Sequence, residues 1–442
     1  MIHGVFHFPQ GFLWGAATAA HQVEGNNTNN QWAAWEQQPG RIHANQRAGL
    51  ACDWWGGRWQ EDLDRAAEDG QNAHRLSIEW SRIQPTPDRW NDDALEVYRQ
   101  MLRGARERGL TPMLTLHHFT DPLWFAEQGG WQNPAAPGWF EAFVTRAAEA
   151  LKEYVSLWVT INEPNVYTTG GYILGTFPPG GGGIGAAQRV LSGMAKAHAA
   201  AYAALHRLQP TARVGVAMNY RSFAAARRWN PLDGWAAKMQ HASYNDSFTR
   251  TLADGVLRFA GLRWRIPQAA KTLDFLGVNY YTRDWVKFDL FKPGQLFGRG
   301  EYRKDAPLSD TGFIAHEPQG FYEAIKWASR FRLPIYVTEN GVEDADDHLR
   351  PRYLAEHIHQ MWRAVNFNWQ VRGYFHWTLV DNFEWERGWS QRFGLYALDV
   401  ETQARRKRPS AEFYAAICRE NGLSSEMLTK YSPESLPILF PG

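Results

Sequence analysis

Eight short apolar, β-branched runs recur along this chain, and helix-period segments separate them. The runs are Phe12–Ala17, Ala73–Ile78, Pro112–Leu116, Leu157–Ile161, Arg213–Met218, Phe275–Asn279, Ile335–Thr338 and Gly373–Thr378. Between them, stretches such as 58–69, 93–108, 139–154, 187–208 and 351–365 place apolar side chains at i, i+3, i+4 and i+7. Strand–helix alternation of this kind predicts parallel strands joined by right-handed crossovers. An eightfold repeat suits closure into a barrel, and an open doubly wound sheet of eight strands fits the same periodicity. The chain has 442 residues, long for one α/β barrel unless its loops are elaborated. No linker breaks the alternation, and the Pro178–Gly183 cluster reads as a loop between a strand and a helix. Residues 1–442 are therefore expected to form one domain.

Composition narrows the function classes. With 44% hydrophobic and 21% charged residues, a large core is available and wholesale disorder is excluded. Lys+Arg 47 against Asp+Glu 46 leaves +1, so no net field favours nucleic acid or an acidic membrane. The two cysteines, Cys52 and Cys418, are too few and too far apart for a disulfide framework or a CxxC metal site. No apolar run reaches the roughly 18 residues of a spanning helix. The first residues, MIHGVFHFPQGFLWG, lack the basic and apolar regions of a secretory signal, which predicts a cytoplasmic protein. Tryptophan is abundant, at 22 residues. About half of these are expected to fill the core, and the rest to offer flat faces in a binding cleft.

In a parallel barrel, chemistry belongs at the C-terminal strand ends. Polar groups follow almost every run: Gln22 and Glu24, Arg75, His117 and His118, Asn162 and Glu163, Asn219, Asn279 and Tyr281, Glu339 and Asn340, and Trp377. Glu163 follows LWVTIN and Glu339 sits within PIYVTENG, each beside an asparagine at the end of an apolar run. Either one alone could cap a helix or pair with a barrel arginine. A facing pair of carboxylates is what glycoside hydrolysis requires, one to protonate the leaving oxygen and one to attack or stabilise the anomeric carbon. Asn162 is then placed to hold a sugar hydroxyl beside the reacting carbon. Arg75 is a candidate to lie beneath a carboxylate and keep it ionised, and Tyr281 a candidate to orient it. His117 and His118 are adjacent on a strand and point to opposite faces, so no metal site is expected from them.

The same residues carry a resemblance. FLWGAATAAHQVEG (12–25), HRLSIEWSRI (74–83), TLHHF (115–119), TINEPN (160–165), NYYT (279–282), YVTENG (336–341) and FHWTLVDNFEWERGWSQRFGLYALD (375–399) resemble the family 1 glycoside hydrolases, the β-glucosidase family, in order and spacing over nearly the whole chain. The resemblance implies an α/β fold, a single (β/α)8 TIM barrel with elaborated βα loops. It implies retaining double displacement with no metal and no cofactor, with Glu163 as acid/base and Glu339 as nucleophile. It places Gln22, His118, Asn162, Glu384 and Trp385 on the non-reducing-end sugar and Trp377 beneath it. Phe119, Asn279, Tyr281 and Phe393 complete the expected substrate-binding set, with Arg75 and Tyr281 orienting the nucleophile. The implied substrates are small-molecule or oligosaccharide β-glycosides: terminal β-D-glucosides such as cellobiose, extending to β-fucosides and β-galactosides.

Glu384 favours neutral sugars, because a carboxylate there would repel a 6-phosphate. Three positions depart from the commonest family pattern. Phe119 and Phe313 stand where tryptophan is usual, and Asn165 follows NEP where many members carry tryptophan; all three are expected to shape the aglycone side. The same residues would serve a transglycosylase, in which an acceptor alcohol replaces water. A non-catalytic sugar-binding barrel is the remaining alternative, but such relatives typically lose one of the two glutamates and both stand here.

Overall fold

The computed structural model describes residues 4–441. Its centre is a closed ring of parallel strands: β1 (Leu13–Ala17), β2 (Ala73–Ser77), β3 (Thr111–His117), β4 (Leu157–Asn162), β5 (Arg213–Ala225), β6 (Phe275–Phe288), β7 (Ile335–Asn340) and β8 (Val371–Trp377). Each strand pairs with the next in chain order, and β8 returns to β1 with Phe375 opposite Gly15. Closure excludes the open doubly wound sheet. Every residue of β2 and β4 is buried, as expected for strands covered by barrel interior on one face and helices on the other.

The outer ring is α1 (Trp59–Glu68), α2 (Asp92–Glu107), α3 (Ala136–Leu151), α4 (Gly183–Leu208), α5 (Ser247–Asp254), α6 (Pro318–Ser329), α7 (Arg350–Asn366) and α8 (Pro409–Glu420). Helix α2 shows why these segments fold as they do. The Asn91 side chain accepts from the Ala94 N–H and caps the first turn, where Asp92 and Asp93 complement the helix dipole. Ala94, Leu95, Tyr98, Met101, Leu102 and Ala105 then form one buried stripe against the barrel.

Several boundaries differ from the sequence expectation. β5 and β6 continue well past Met218 and Asn279, pairing from Ser222↔Arg283 to Ala225↔Val286. Gly298–Glu301 adds an antiparallel strand to the β6 extension, so one side of the barrel mouth is walled by sheet where loops were expected. The Pro178–Gly183 segment does lead into α4, but a short helix, Pro164–Thr168, and a turn, Thr169–Leu174, separate it from β4. Tryptophan serves the core more than the cleft. Trp14, Trp32, Trp80, Trp131 and Trp158 are fully buried, whereas Trp377 and Trp385 border the cavity at the barrel mouth. Cys52 and Cys418 are both buried and unpaired. Among the described residues, no helix is long and apolar enough to cross a membrane.

Candidate active site

Glu163 follows β4 directly, in the left-handed region at φ 46° and ψ 57°, a conformation that is uncommon without glycine. Its N–H donates to Ala217 O of β5 at 2.7 Å, and Pro164 starts the next helix. These two constraints hold the backbone there. Glu339, the penultimate residue of β7, lies opposite Asn279 of β6. Just beyond it, a Cβ on Gly341 would stand 2.0 Å from the Trp377 carbonyl oxygen. Only glycine allows the end of β7 to pack so closely on the end of β8.

Arg75, fully buried on β2, connects four strands. Its Nε donates to Thr115 Oγ1 (3.1 Å), Nη1 to Thr338 O (3.1 Å) and Glu339 Oε1 (2.6 Å), and Nη2 to Asn162 Oδ1 (2.7 Å). The Tyr281 hydroxyl donates to the other Glu339 oxygen at 2.5 Å. Glu163 is held differently, by the amides of Asn279 (2.7 Å) and Asn219 (3.0 Å), both donating to Oε1. Asn279 also donates to Asn162 Oδ1 at 3.2 Å and accepts from Thr338 Oγ1 at 2.5 Å, so its amide orientation is fixed.

Electrostatics separates the two carboxyls. Burial raises Glu163, and the nearby charge of Glu339 raises it further, to about 8, against weaker opposition from the two amides and Arg75. Burial raises Glu339 as well, but there Arg75 and Tyr281 pull the other way. A proton shared by the pair therefore resides on Glu163, and Glu339 carries the charge.

Side chains above this pair leave unused hydrogen-bonding capacity. Asn162 Nδ2 donates to His118 Nε2 at 3.1 Å. Burial drives the His118 pKa well below its ordinary value, so the ring is neutral with its proton on Nδ1, an atom without a protein partner. The ring stacks on Trp377 and Trp385, with centroids 6.0 and 6.1 Å away. Gln22 Nε2 donates to Phe383 O (2.7 Å), Glu384 Oε2 (3.1 Å) and Asn382 Oδ1 (3.2 Å), while its Oε1 is buried and unpartnered. Burial and the charges of Glu386 and Glu339 push the Glu384 pKa well above the carboxylate range. Phe119 packs edge-on to Trp385 at 5.1 Å, and Phe393 edge-on to Tyr281 at 6.1 Å.

Together these residues enclose a cavity of about 160 Å³ bordered by both carboxyls. His118, Phe119, Tyr281, Trp377, Glu384, Trp385 and Phe393 border it with them; Gln22, Arg75, Asn162 and Asn279 are buried and reach those groups by hydrogen bonds. Other strand-end groups turn elsewhere. Glu24 accepts from Arg82 and Tyr98, Asn340 donates to Tyr280 O, and His117 pairs with Asp121 at 2.9 Å, away from His118's partner.

Asn165 does not border the cavity, contrary to expectation. Its Nδ2 donates to Asn219 O (2.7 Å) and Tyr244 O (3.2 Å), stapling β5 to the turn at 242–246. Tyr244 in turn donates to Asn219 Oδ1 at 3.0 Å, which fixes the amide that touches Glu163. Asn219 was visible only as a polar strand end, and Tyr244 sits in a turn, 242–246, without a motif to mark it. Phe313 does reach the rim, with the Arg387 guanidinium 4.9 Å from its ring centre.

Known proteins are similar to this chain in sequence and fold. The model of glycosyl hydrolase family 1 matches residues 5–423. "Beta-glucosidase A" of Thermotoga maritima is 32% identical, aligned over 94% of this chain and 98% of its own. A "Beta-galactosidase" of Sulfolobus acidocaldarius is 31% identical over 95% and 96%. Among solved structures, the β-glycosidase from Pyrococcus horikoshii superposes with a TM-score of 0.90 at 36% identity, covering 97% of this chain and 98% of that one. With a closed barrel, a matched family model and full-length relatives, the chain belongs to glycosyl hydrolase family 1, the β-glycosidases.

Proposed function

We propose that this enzyme hydrolyses terminal, non-reducing β-D-glucosyl residues, and β-fucosyl and β-galactosyl residues with them, by retaining double displacement. In this reading residues 1–442 act as one catalytic unit in the cytoplasm, where buried, unpaired Cys52 and Cys418 stay reduced.

The observation that carries the assignment of roles is the asymmetry of hydrogen bonding around the two carboxyls. Glu339, held by Arg75 and Tyr281, is the ionised nucleophile. It attacks the anomeric carbon while Glu163 passes its proton to the departing oxygen, leaving a glycosyl ester and a free aglycone alcohol. Ester formation consumes the Glu339 charge. Glu163 thereby loses the neighbouring charge that added to the effect of burial on its pKa and becomes the base that takes a proton from water. Water then opens the ester, and Glu339 leaves as a carboxylate. Nucleophile, acid and base are all side chains of this chain.

The sugar is held by what the protein leaves unsatisfied. His118 Nδ1–H donates to a hydroxyl, Gln22 Oε1 accepts from one, and Glu384 accepts from others, with Trp377 beneath the ring. Such hydrogen bonds strengthen as the oxocarbenium-like transition state forms. The β-galactosidase among the relatives supports tolerance of the axial hydroxyl.

Proton NMR of a nitrophenyl β-glucoside digest tests the reading. The first-formed glucose is expected as the β-anomer, and its initial appearance as the α-anomer overturns retention. Nitrophenyl glucoside, galactoside and fucoside, with cellobiose and lactose, complete the panel; inertness toward all of them overturns the function.

A further inference from the structure

The hydrogen bonds around the carboxyl pair leave one more buried acceptor unused. Gln391, two residues before Phe393, borders the cavity and is only 1% exposed, yet its Oε1 has no hydrogen-bond partner among the described residues. The amide is not free to turn. Its Nε2 donates to Thr311 Oγ1 at 3.0 Å, and the Thr311 hydroxyl spends its single proton on Glu343 Oε1 at 2.7 Å. The same Glu343 oxygen accepts from the Ser309 hydroxyl, which itself accepts from the Ile314 N–H at 2.9 Å. Thr311 therefore has only an acceptor left to offer, so an N–H of Gln391 faces it and the amide oxygen is turned away. The backbone is held as firmly. The neighbouring Arg392 carbonyl accepts from the Asp344 N–H (2.9 Å) and from Arg350 Nη2 (2.8 Å), which ties the segment to the start of α7.

A buried acceptor without a donor is destabilising and rare. At the edge of a ligand cavity it points to a donor that the ligand brings. The order of groups around the cavity says which one. In the glycosidase reading Glu163 and Glu339 flank the anomeric carbon. Asn162, bonded to His118, stands beside that carbon, and Gln22, bonded to Glu384, takes the hydroxyls that follow. Traced round a pyranose, this runs from C1 through C2 and C3 to C4. The corner between Glu384 and the nucleophile is left for C5 and its hydroxymethyl group. Tyr281, Phe393 and Gln391 border the cavity there. The Tyr281 hydroxyl is committed to Glu339, Phe393 packs edge-on to Tyr281 and has no polar atom, and Gln391 brings the unpaired oxygen.

Resting on that reading, we infer that Gln391 is a specificity-determining residue whose Oε1 accepts from the primary 6-hydroxyl of the bound sugar. Glucosides and galactosides are thereby favoured over their 6-deoxy and pentoside counterparts. β-Fucosides, which lack this hydroxyl, are cleaved with a lower kcat/KM than β-galactosides. Thr311 is a positioning residue and acts through the Gln391 amide.

The test compares kcat/KM for nitrophenyl β-D-glucoside with that for its 6-deoxy analogue. In the wild type the glucoside is expected at least about tenfold ahead, because the analogue leaves a buried acceptor unpaired. Gln391→Leu, similar in size but without the acceptor, should lower this ratio at least about tenfold, with the loss falling on the glucoside. Thr311→Val, at an exposed position, frees the amide to turn and should lower the ratio about threefold or more; it serves where Gln391→Leu does not fold. The ratio of nitrophenyl glucoside to cellobiose should stay the same in both variants. A wild-type ratio near one, or an unchanged ratio in the variant that folds, overturns this inference and leaves the glycosidase reading intact. A change confined to the cellobiose comparison overturns it too, by placing Gln391 on the leaving group. Inertness of the wild type toward both nitrophenyl glycosides and cellobiose overturns both readings.

Discussion

Arg75 Nη1 lies 2.6 Å from Glu339 Oε1 with both side chains buried, whereas the hydrogen bonds to Glu163 come from the amides of Asn219 and Asn279. A fixed cation on one carboxyl and neutral donors on the other is what lets two identical residues take different protonation states a short distance apart.

The pH–rate profile follows from this asymmetry. The proposed mechanism needs Glu163 protonated and Glu339 ionised, so kcat/KM should fall on the alkaline side near pH 8, where Glu163 loses its proton. On the acid side it should fall as Glu339 gains one, at a pH above the ordinary carboxylate value. Glu163→Gln should remove the alkaline limb for substrates whose departure needs protonation. A normal bell and normal rate in that variant would sink the assignment.

Azide separates the two roles by stereochemistry. In Glu163→Ala, an activated aryl glucoside still forms the ester at Glu339, deacylation slows for want of a base, and azide should yield a β-glycosyl azide. In Glu339→Gly, activity should drop by orders of magnitude, and azide entering the vacated space should give the α-glycosyl azide. NMR of the two products decides it, and swapped configurations mean reversed roles.

Removing the cation should shift the acid limb. Arg75→Met leaves Glu339 buried without its counter-charge, so its pKa rises and the acid limb moves to higher pH as kcat falls. Breaking a buried pair this way costs about 3–5 kcal/mol of stability, which chemical denaturation would register. Arg75→Lys keeps the charge without the planar fork, and should move the limb less. An unmoved acid limb in Arg75→Met contradicts the positioning role.

Phospho-sugar rejection should trace to Glu384. The wild type should hydrolyse nitrophenyl β-glucoside far faster than its 6-phosphate, because a dianion set beside the buried Glu384 carboxyl, whose own ionisation the pocket already disfavours, would lose its water without a counter-charge from that group. Glu384→Ser should lose activity on the neutral sugar and narrow the gap. Preference of the wild type for the phosphate would refute the neutral-sugar reading.

Glu163 also burdens stability. Its pKa in the folded protein, about 8, stands above its unfolded value near 4.3, so the folded state binds the extra proton. The associated stability is complete below the unfolded pKa and is lost as pH rises through the folded one. Glu163→Gln, which carries no titrating proton, should melt several degrees higher than wild type at pH 8–9 and show little difference at pH 4. Calorimetry at both pH values gives the answer.

The alternation of runs made the barrel legible, and Glu163 and Glu339 stood out because each ends a run that must be buried. The extensions of β5 and β6 were hidden because residues 219–225 and 280–288 mix polar and apolar side chains, and their pairing depends on each other across the fold. Tyr244 and the stapling role of Asn165 escaped for a related reason. Both act through backbone and amide contacts with Asn219 of β5, between elements far apart in sequence, for which no local pattern codes. Glu24 and Asn340 show the converse, as polar strand ends that proved structural.

Arg75 touches Thr115 on β3, Asn162 on β4, and Thr338 and Glu339 on β7. Transplanting the two glutamates onto another eight-stranded scaffold would accordingly import the reactive groups without the crossbeam that keeps one of them charged. A graft that carries chemistry has to bring matching side chains from four staves of the barrel at once.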